Sequence, residues 1–397
     1  MSEKSPTSDR ELSDDTLCVH SVDNHPHGAL ALPMYLTSTF RFDSTEQAAA
    51  LARGEISRYI YSRYENPTVV EVEQRIAALE RGERAFLFAS GAAATATWCH
   101  AFLRPKDRFV VALELYGGSA HFFAHYLAPM GIEVVKVDFR DLDALDKALA
   151  GARACWFETP TNPTAHIVDG IAVAQLCRKH GVLSGIDSTF ATPILQKPIT
   201  WGIDWVMHSA TKYLGGHTDL IGGVLVAAPG GDAPRVYEAR KNFGGVIDPH
   251  AAFLVNRGIM TLSLRVERQS ATAMAVAQWA ARHPAIERVH YPGLADAPGH
   301  AIALKQMKTF GAMMAIDIRG GYAAAARFID GLKLAVNAAS LGGAESLVSM
   351  PILTSHVHAT SDERRLAGVT EGTVRVSIGL ESADDLIADL AQALDAV

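Results

Sequence analysis

The chain has no run of roughly 18 or more apolar residues, which excludes a membrane-spanning helix from it. Cysteine is sparse: Cys18, Cys99, Cys155 and Cys177 are scattered, with no close pairing in sequence. That scatter argues against a disulfide framework or a zinc site and for a reducing cytoplasm. Positive charge is also in deficit, with 36 Lys and Arg against 43 Asp and Glu, a net charge of -7. Together with a pI near 6.1, this speaks against nucleic acid or an anionic membrane as partner. The opening Met1-Ser2-Glu3-Lys4-Ser5-Pro6 lacks the basic-then-apolar order of a secretory signal. No internal repeat is present. What remains is a globular composition, 49% hydrophobic and 20% charged over 397 residues, long enough for one large and one smaller domain.

Residues 1–60, with Pro26, Pro33 and scattered serines, lack sustained periodicity, and such a leader is expected to pack on a neighbouring subunit. From 61 to 255, helical and strand signals alternate. Residues 71–80 carry apolar side chains at helical spacing, with Gly82 as a stop. Short apolar strands are predicted at 85–89, 109–113, 134–137, 154–157, 183–186 and 205–208. Strands separated by helices predict an α/β domain, a mostly parallel sheet flanked by helices, whose ligands gather at the carboxyl ends of the strands. A long helix is predicted over about 250–283, leading into a smaller α+β C-terminal domain, 256–397, with strands at 312–318 and 373–378.

Lys212 lies in His208-Ser209-Ala210-Thr211-Lys212-Tyr213-Leu214-Gly215-Gly216, ringed by small hydroxyl and glycine residues. A lysine desolvated at the floor of a cleft loses basicity and can form a Schiff base. Upstream, 181–186 reads as a buried strand ending in Asp187. An aspartate and a lysine on successive strand ends meet the two needs of pyridoxal phosphate (PLP), one at the pyridinium nitrogen and one at the aldehyde. Taken alone, a lysine in such a glycine turn is more often a surface residue than a cofactor anchor. The rest of the constellation decides the matter. Ser90-Gly91-Ala92 follows a strand and opens a helix, offering backbone N–H groups to an anion. Ser209 and Thr211 add hydroxyl donors, and Arg63, after Tyr61, suits bidentate phosphate contact. Tyr116, followed by Gly117 and Gly118, can stack on a planar cofactor and exchange protons. Asn162 can donate its amide to a phenolate or carboxylate, and Arg375, inside an apolar strand, needs an anionic partner such as an amino-acid carboxylate.

With these pieces assembled, the chain resembles the Cys/Met-metabolism (transsulfuration) family of fold-type-I PLP enzymes from about Tyr35 to Ala391. The matching motifs include Tyr61-Ser62-Arg63-x-x-Asn66-Pro67-Thr68, Ala89-Ser90-Gly91 and Tyr116-Gly117-Gly118. Others are Glu158-Thr159-Pro160-x-Asn162-Pro163, Asp187-x-Thr189, Ser209-Ala210-Thr211-Lys212-Tyr213, Ser340-Leu341-Gly342-Gly343 and Arg375-Val376-Ser377. The resemblance implies that Lys212 carries PLP and that Asp187 keeps its ring nitrogen protonated. Ser90, the Gly91 and Ala92 amides, Ser209 and Thr211 would hold the phosphate, which Tyr61 and Arg63 of a neighbouring subunit would also reach. Tyr116 would stack on the cofactor and act as acid or base. Arg375, helped by Ser340 and Asn162, would bind the substrate carboxylate. The resemblance further implies a homotetramer built from two active dimers.

Three departures bear on the substrate. Methionine γ-lyases carry a cysteine two residues after the active-site tyrosine, where this chain has Gly118. Cystathionine-processing members place a glutamate before the Ser-Leu-Gly-Gly run, where this chain has Ala339. The usual Asp-Asn-Thr is Asp187-Ser188-Thr189. Glu65, near the expected pocket mouth, could attract a cationic tail. The expected activity is therefore γ-elimination or γ-replacement on a homoserine-type amino acid with an oxygen-linked leaving group, an O-acylhomoserine or canavanine. Methionine γ-lyase or a cystathionine-processing lyase or synthase is the alternative. A metal role is not expected for His121 and His125, a helical turn apart, because no acidic residue joins them, nor for His25 and His27 or His356 and His358, which are isolated. Retention of Lys212, Asp187, Tyr116 and Arg375 together speaks against a catalytically dead scaffold.

Overall fold

The computed structural model describes residues 12–20, 25–357 and 359–395; Met1 to Pro6 and His358 lie outside them. A seven-stranded sheet has the order β1-β7-β6-β5-β4-β2-β3. Its strands are β1 (Arg84–Phe88), β2 (Arg108–Ala112), β3 (Glu133–Val137), β4 (Ala154–Glu158), β5 (Leu183–Asp187), β6 (Trp205–His208) and β7 (Gly223–Ala227). All run parallel except β7, which pairs antiparallel with both neighbours. Helices cover both faces, so the central strands are buried along their whole length and read as unbroken apolar runs such as Ala-Cys-Trp-Phe in β4. The core between sheet and helices packs Trp98 against Trp156, tilted at 60°, with 4.9 Å between ring centroids. A second, five-stranded sheet orders β10 (Val336–Asn337), β11 (Leu347–Ser349), β12 (Thr373–Ser377), β9 (Met313–Ile318) and β8 (Ile286–His290).

Several elements differ from the sequence expectation for physical reasons. The helix expected over 71–80 begins a turn earlier, at Pro67–Glu80, because Asn66 caps Thr68 N–H and Pro67 fills the first helical position. Its end is made by Arg81, left-handed at φ 62°, and not by Gly82. The long helix over 250–283 is two helices, Pro249–Ile259 and Leu262–Ala280. Arg265 reaches back across the break to donate to the Gly258 carbonyl at 2.6 Å, adding to the longer bond of 3.3 Å that the same carbonyl accepts from the Thr261 N–H. The antiparallel β7 was not among the predicted strands. Among the described residues of 12–60 there are two short α-helices, Asp14–Val19 and Thr45–Ala52, and one 3-10 turn, Pro26–Gly28. Part of this leader packs on its own chain, since Arg75 binds the Cys18 carbonyl at 2.8 Å and Thr68 the Pro33 carbonyl at 2.8 Å.

The cysteines look unpaired in sequence, yet Cys155 on β4 and Cys177 on the following helix bring their sulfurs within 3.3 Å as free thiols. The His121 and His125 rings meet at a tilt of 33°, with 4.4 Å between ring centroids. Among the described residues no group of three or more His, Cys, Asp or Glu side chains is arranged to hold a metal, and no helix is long and apolar enough to cross a membrane.

Candidate active site

The carboxyl ends of β4, β5 and β6 open on a cleft of about 590 Å³, bounded on the far side by Ala339, Ser340, Leu341 and Arg375 of the second sheet's segment. Asp187 ends β5 and is buried at its rim. Its Oδ1 accepts the Thr189 backbone N–H at 2.9 Å and the Thr189 hydroxyl at 2.5 Å, which leaves Oδ2 for a ligand. Burial raises the Asp187 carboxyl above its ordinary range, while the Thr189 hydrogen bonds and the nearby His208 pull it back. A cationic ring N–H at Oδ2 would hold it ionised, so the site fits a pyridinium.

Lys212 Nζ donates to Ser340 Oγ at 3.0 Å. Burial, and after it the charge of Arg375, lowers its pKa below the ordinary 10.5. The sign is clear: a larger fraction of amine is neutral and nucleophilic at a given pH. Capture of PLP by the apo-protein, followed as absorbance growth across a pH series, is therefore expected to reach half its maximum rate below pH 10.5. A midpoint at or above the ordinary lysine value would contradict the reading.

Arg375 is buried in β12. Nη1 donates to Asn162 Oδ1 at 3.2 Å and Nη2 to the Ser340 carbonyl at 2.9 Å. Burial lowers its pKa to about 10, so it stays cationic at neutral pH. A guanidinium has five donors, and two hydrogen bonds do not exhaust it; the remainder can bind a carboxylate. Asn162 thus accepts from Arg375 through its oxygen, and its amide donors stay available.

At the opposite wall, Ser90 caps the helix Gly91–Phe102, its hydroxyl oxygen accepting the Ala93 N–H. The Gly91 and Ala92 amides at this helix start have no helical partner and face a dipole suited to phosphate. Gly91 approaches the Ser209 turn so closely that a Cβ there would lie 3.3 Å from Ser209 Cβ. This is a cradle for a compact anion. Thr211, expected as a phosphate donor, is otherwise engaged: its hydroxyl donates to the Gly222 carbonyl at 3.1 Å and accepts the Gly222 N–H at 3.0 Å. It ties the lysine turn to the start of β7, because its single proton is already committed.

Thr189 belongs to the Asp187-x-Thr189 motif. It is the hinge of the floor, since its hydroxyl binds Asp187 while accepting the Ser209 N–H at 2.8 Å. Hydrogen bonds to charged groups contribute about 1.5–3 kcal/mol. Thr189→Val is therefore expected to weaken PLP affinity by about tenfold or more, measured by titrating apo-protein with the cofactor. Unchanged affinity would remove Thr189 from the site. Ser188, in place of the family's asparagine, is fully buried and accepts the Gln196 amide at 2.9 Å.

Tyr116, half-exposed, precedes the helix Gly117–Phe122 and lines the cleft. Its ring lies over Gly118, where a Cβ would come within 2.5 Å of the ring; the missing side chain is what allows this ring position. Gly118, Phe122, Ile221 and Ala339 contribute small or apolar lining to the cleft. Tyr61 and Arg63 do not line the cleft of their own chain. Arg63 donates to the Lys241 carbonyl and stacks on the Tyr64 ring at 4.9 Å. Glu65, expected near the pocket mouth, pairs with Arg84 at 2.8 Å instead and is absent from that cleft as well.

Residues 15–395 match the model of a family described as Cys/Met metabolism PLP-dependent enzymes. The chain is 43% identical over 380 residues to the L-methionine γ-lyase of Pseudomonas putida, covering 95% of this chain and 96% of that protein. It is 39% identical to the cystathionine β-lyase of Coxiella burnetii, covering 92% and 93%. Among solved structures, an O-acetylhomoserine (thiol)-lyase of Campylobacter jejuni, crystallised with pyridoxyl-lysine monophosphate, superposes with a TM-score of 0.93 at 31% identity, covering 97% of this chain and 100% of that one. A cystathionine γ-lyase of Lactobacillus plantarum complexed with L-serine superposes at 0.91 with 36% identity, covering 97% and 99%.

Proposed function

The chain belongs to the Cys/Met metabolism family of PLP-dependent enzymes, and on that premise we propose that it breaks the Cγ–oxygen bond of a γ-substituted homoserine, an O-acylhomoserine or canavanine. The observation that carries the reading is the convergence of Lys212, Ser340, Arg375, Asn162 and Asp187 on one cleft, with Tyr116 at its edge. When bound, PLP supplies an electron sink that stabilises negative charge on the substrate's carbon chain. The protein's own residues do the rest. Arg375, steadied by Asn162 and Ser340, holds the α-carboxylate and fixes the amino acid's orientation. Lys212 Nζ, with its lowered basicity, moves the Cα and then the Cβ proton. The Tyr116 hydroxyl protonates the departing γ-oxygen. Asp187 keeps a negative charge against the ring nitrogen. Elimination consumes water and yields 2-oxobutanoate, ammonia and the protonated leaving group; in replacement, an acceptor nucleophile takes the γ-position.

The oxygen-linked reading is supported by two small residues in the cleft lining. Gly118 brings no thiol and Ala339 no carboxylate. For canavanine, Glu65 would follow Arg63 toward a neighbouring subunit's cleft. Its pairing with Arg84 is partly exposed, and such pairs are worth about 0–1 kcal/mol, little enough for a cationic tail to displace. Methionine γ-lysis is the second reading, favoured by the 43% identity to the Pseudomonas putida enzyme. The same reading includes a cytoplasmic homotetramer in which Tyr61 and Arg63 complete a neighbour's phosphate site.

The test is to incubate purified holoenzyme separately with O-acetylhomoserine, canavanine and methionine, quantifying 2-oxobutanoate, homoserine and released thiol. Higher kcat/KM on an oxygen-linked substrate is expected. Faster turnover of methionine than of either would establish the second reading, and pyruvate as the sole keto acid would defeat γ-chemistry altogether.

A further inference from the structure

Glu158 is a buried carboxylate that the mechanism above does not use. It ends β4 directly beside Asp187 in the parallel register and lines the cleft. Its Oε1 accepts the backbone N–H of Tyr116 at 2.5 Å, bridging 42 residues of sequence. The same carboxylate takes a backbone hydrogen bond from Asn162, whose side chain in turn accepts from Arg375. A second strut runs parallel to the first: Glu114, two residues before Tyr116, accepts the Thr161 hydroxyl at 2.8 Å, one residue before Asn162. The loops after β2 and β4 are thus stitched together by two carboxylates, and these loops carry the tyrosine and the asparagine of the site.

We propose that Glu158 is a positioning residue, a bracket that fixes the Tyr116 backbone and the Asn162 backbone in one frame, so that the proton-donating phenol and the carboxylate-binding pair keep a set separation. This rests on the reading of Tyr116 and Arg375 given above. It is the reach of the acceptor atom, and not its charge, that does the holding. Burial, reinforced by the neighbouring Asp187, raises the Glu158 carboxyl well above the ordinary range, against the pull of the two backbone N–H groups. A neutral amide oxygen in the place of Oε1 can still accept the Tyr116 N–H.

Two variants separate reach from charge. Glu158→Gln keeps the acceptor at full length and discards the charge; Glu158→Asp keeps the charge and withdraws the acceptor by one methylene. Two readouts apply to each: hydrogen–deuterium exchange of the peptides containing Tyr116 and Asn162 in the apo-protein, and kcat and KM of the holoenzyme. A displacement of about 1 Å near reacting atoms can cost about a hundredfold. Glu158→Asp is therefore expected to speed exchange at Tyr116 by about tenfold or more and to cut kcat by about ten- to a hundredfold, with a smaller change in KM. Glu158→Gln is expected to lose at least tenfold less kcat than Glu158→Asp and to keep slow exchange. Glu158→Gln proving the worse of the two would overturn the proposal in favour of a charge effect on Asp187. Wild-type exchange at Tyr116 in Glu158→Asp would overturn it as well. The exchange readout uses neither substrate nor cofactor, so a failure of the activity reading alone would leave the bracket result intact and recognisable.

Discussion

Lys212→Ala is expected to lower turnover by about 10⁴-fold or more, the scale seen when a group that acts as both covalent anchor and proton carrier is removed. The variant should fold normally. Lys212 is only half-buried, and its hydrogen bond goes to Ser340, whose hydroxyl remains beside the open cleft where water can satisfy it. The thermal midpoint should consequently move little. The purified variant should also lose the visible colour of covalently held cofactor, while phosphate-cradle and Asp187 contacts keep a weaker, dialysable binding. Arg375 offers an internal contrast. Its removal would strip the carboxylate anchor and raise KM, and would also leave the Asn162 and Ser340 acceptors without their donor. A Lys212→Ala enzyme with more than about a tenth of wild-type turnover would place the chemistry on some other residue.

The second large effect concerns assembly. Arg63 and Tyr61 stand outside the cleft of their own chain, and the proposal assigns them to a neighbour's phosphate. Arg63→Ala and Lys212→Ala should each be nearly inactive alone. After unfolding and refolding together in equal amounts, half of the dimers would be mixed. Each mixed dimer would hold one site with both native residues and one with neither. About a quarter of wild-type activity is therefore expected to return, as the two-fold arrangement of a shared site requires. No recovery, in a mixture that light scattering finds dimeric or larger, would mean that Arg63 serves its own chain or no site at all.

Much of this was legible in the chain itself, and the legible part has a common character. The parallel strands declare themselves because burial on both faces demands unbroken apolar runs, and the ligand edge follows from their direction. Lys212, Asp187 and Arg375 are legible because each is a charge where an apolar run ends or would otherwise continue. Features made by partners distant in sequence were not legible. The break between Pro249–Ile259 and Leu262–Ala280 is held by Arg265 reaching backward, and nothing in the local pattern announces it. Thr211 looks like a donor until the chain returns with Gly222 to occupy it. The Cys155–Cys177 contact exists only because a helix packs over its own strand. Glu158 was visible as a strand-end carboxylate, but its partner is a backbone N–H on another loop, which no side-chain pattern encodes. Thr189 could have been found from spacing alone, since a hydroxyl two residues past a strand-end aspartate is placed to bind back to it.

The proposed chemistry requires that Lys212, and no other amine, join the cofactor. Holoenzyme reduced with borohydride and digested with trypsin should yield one peptide bearing a pyridoxyl-phosphate mass, with fragmentation placing it on Lys212. A label on any other lysine, or a fully reduced active enzyme with no labelled peptide, would contradict it.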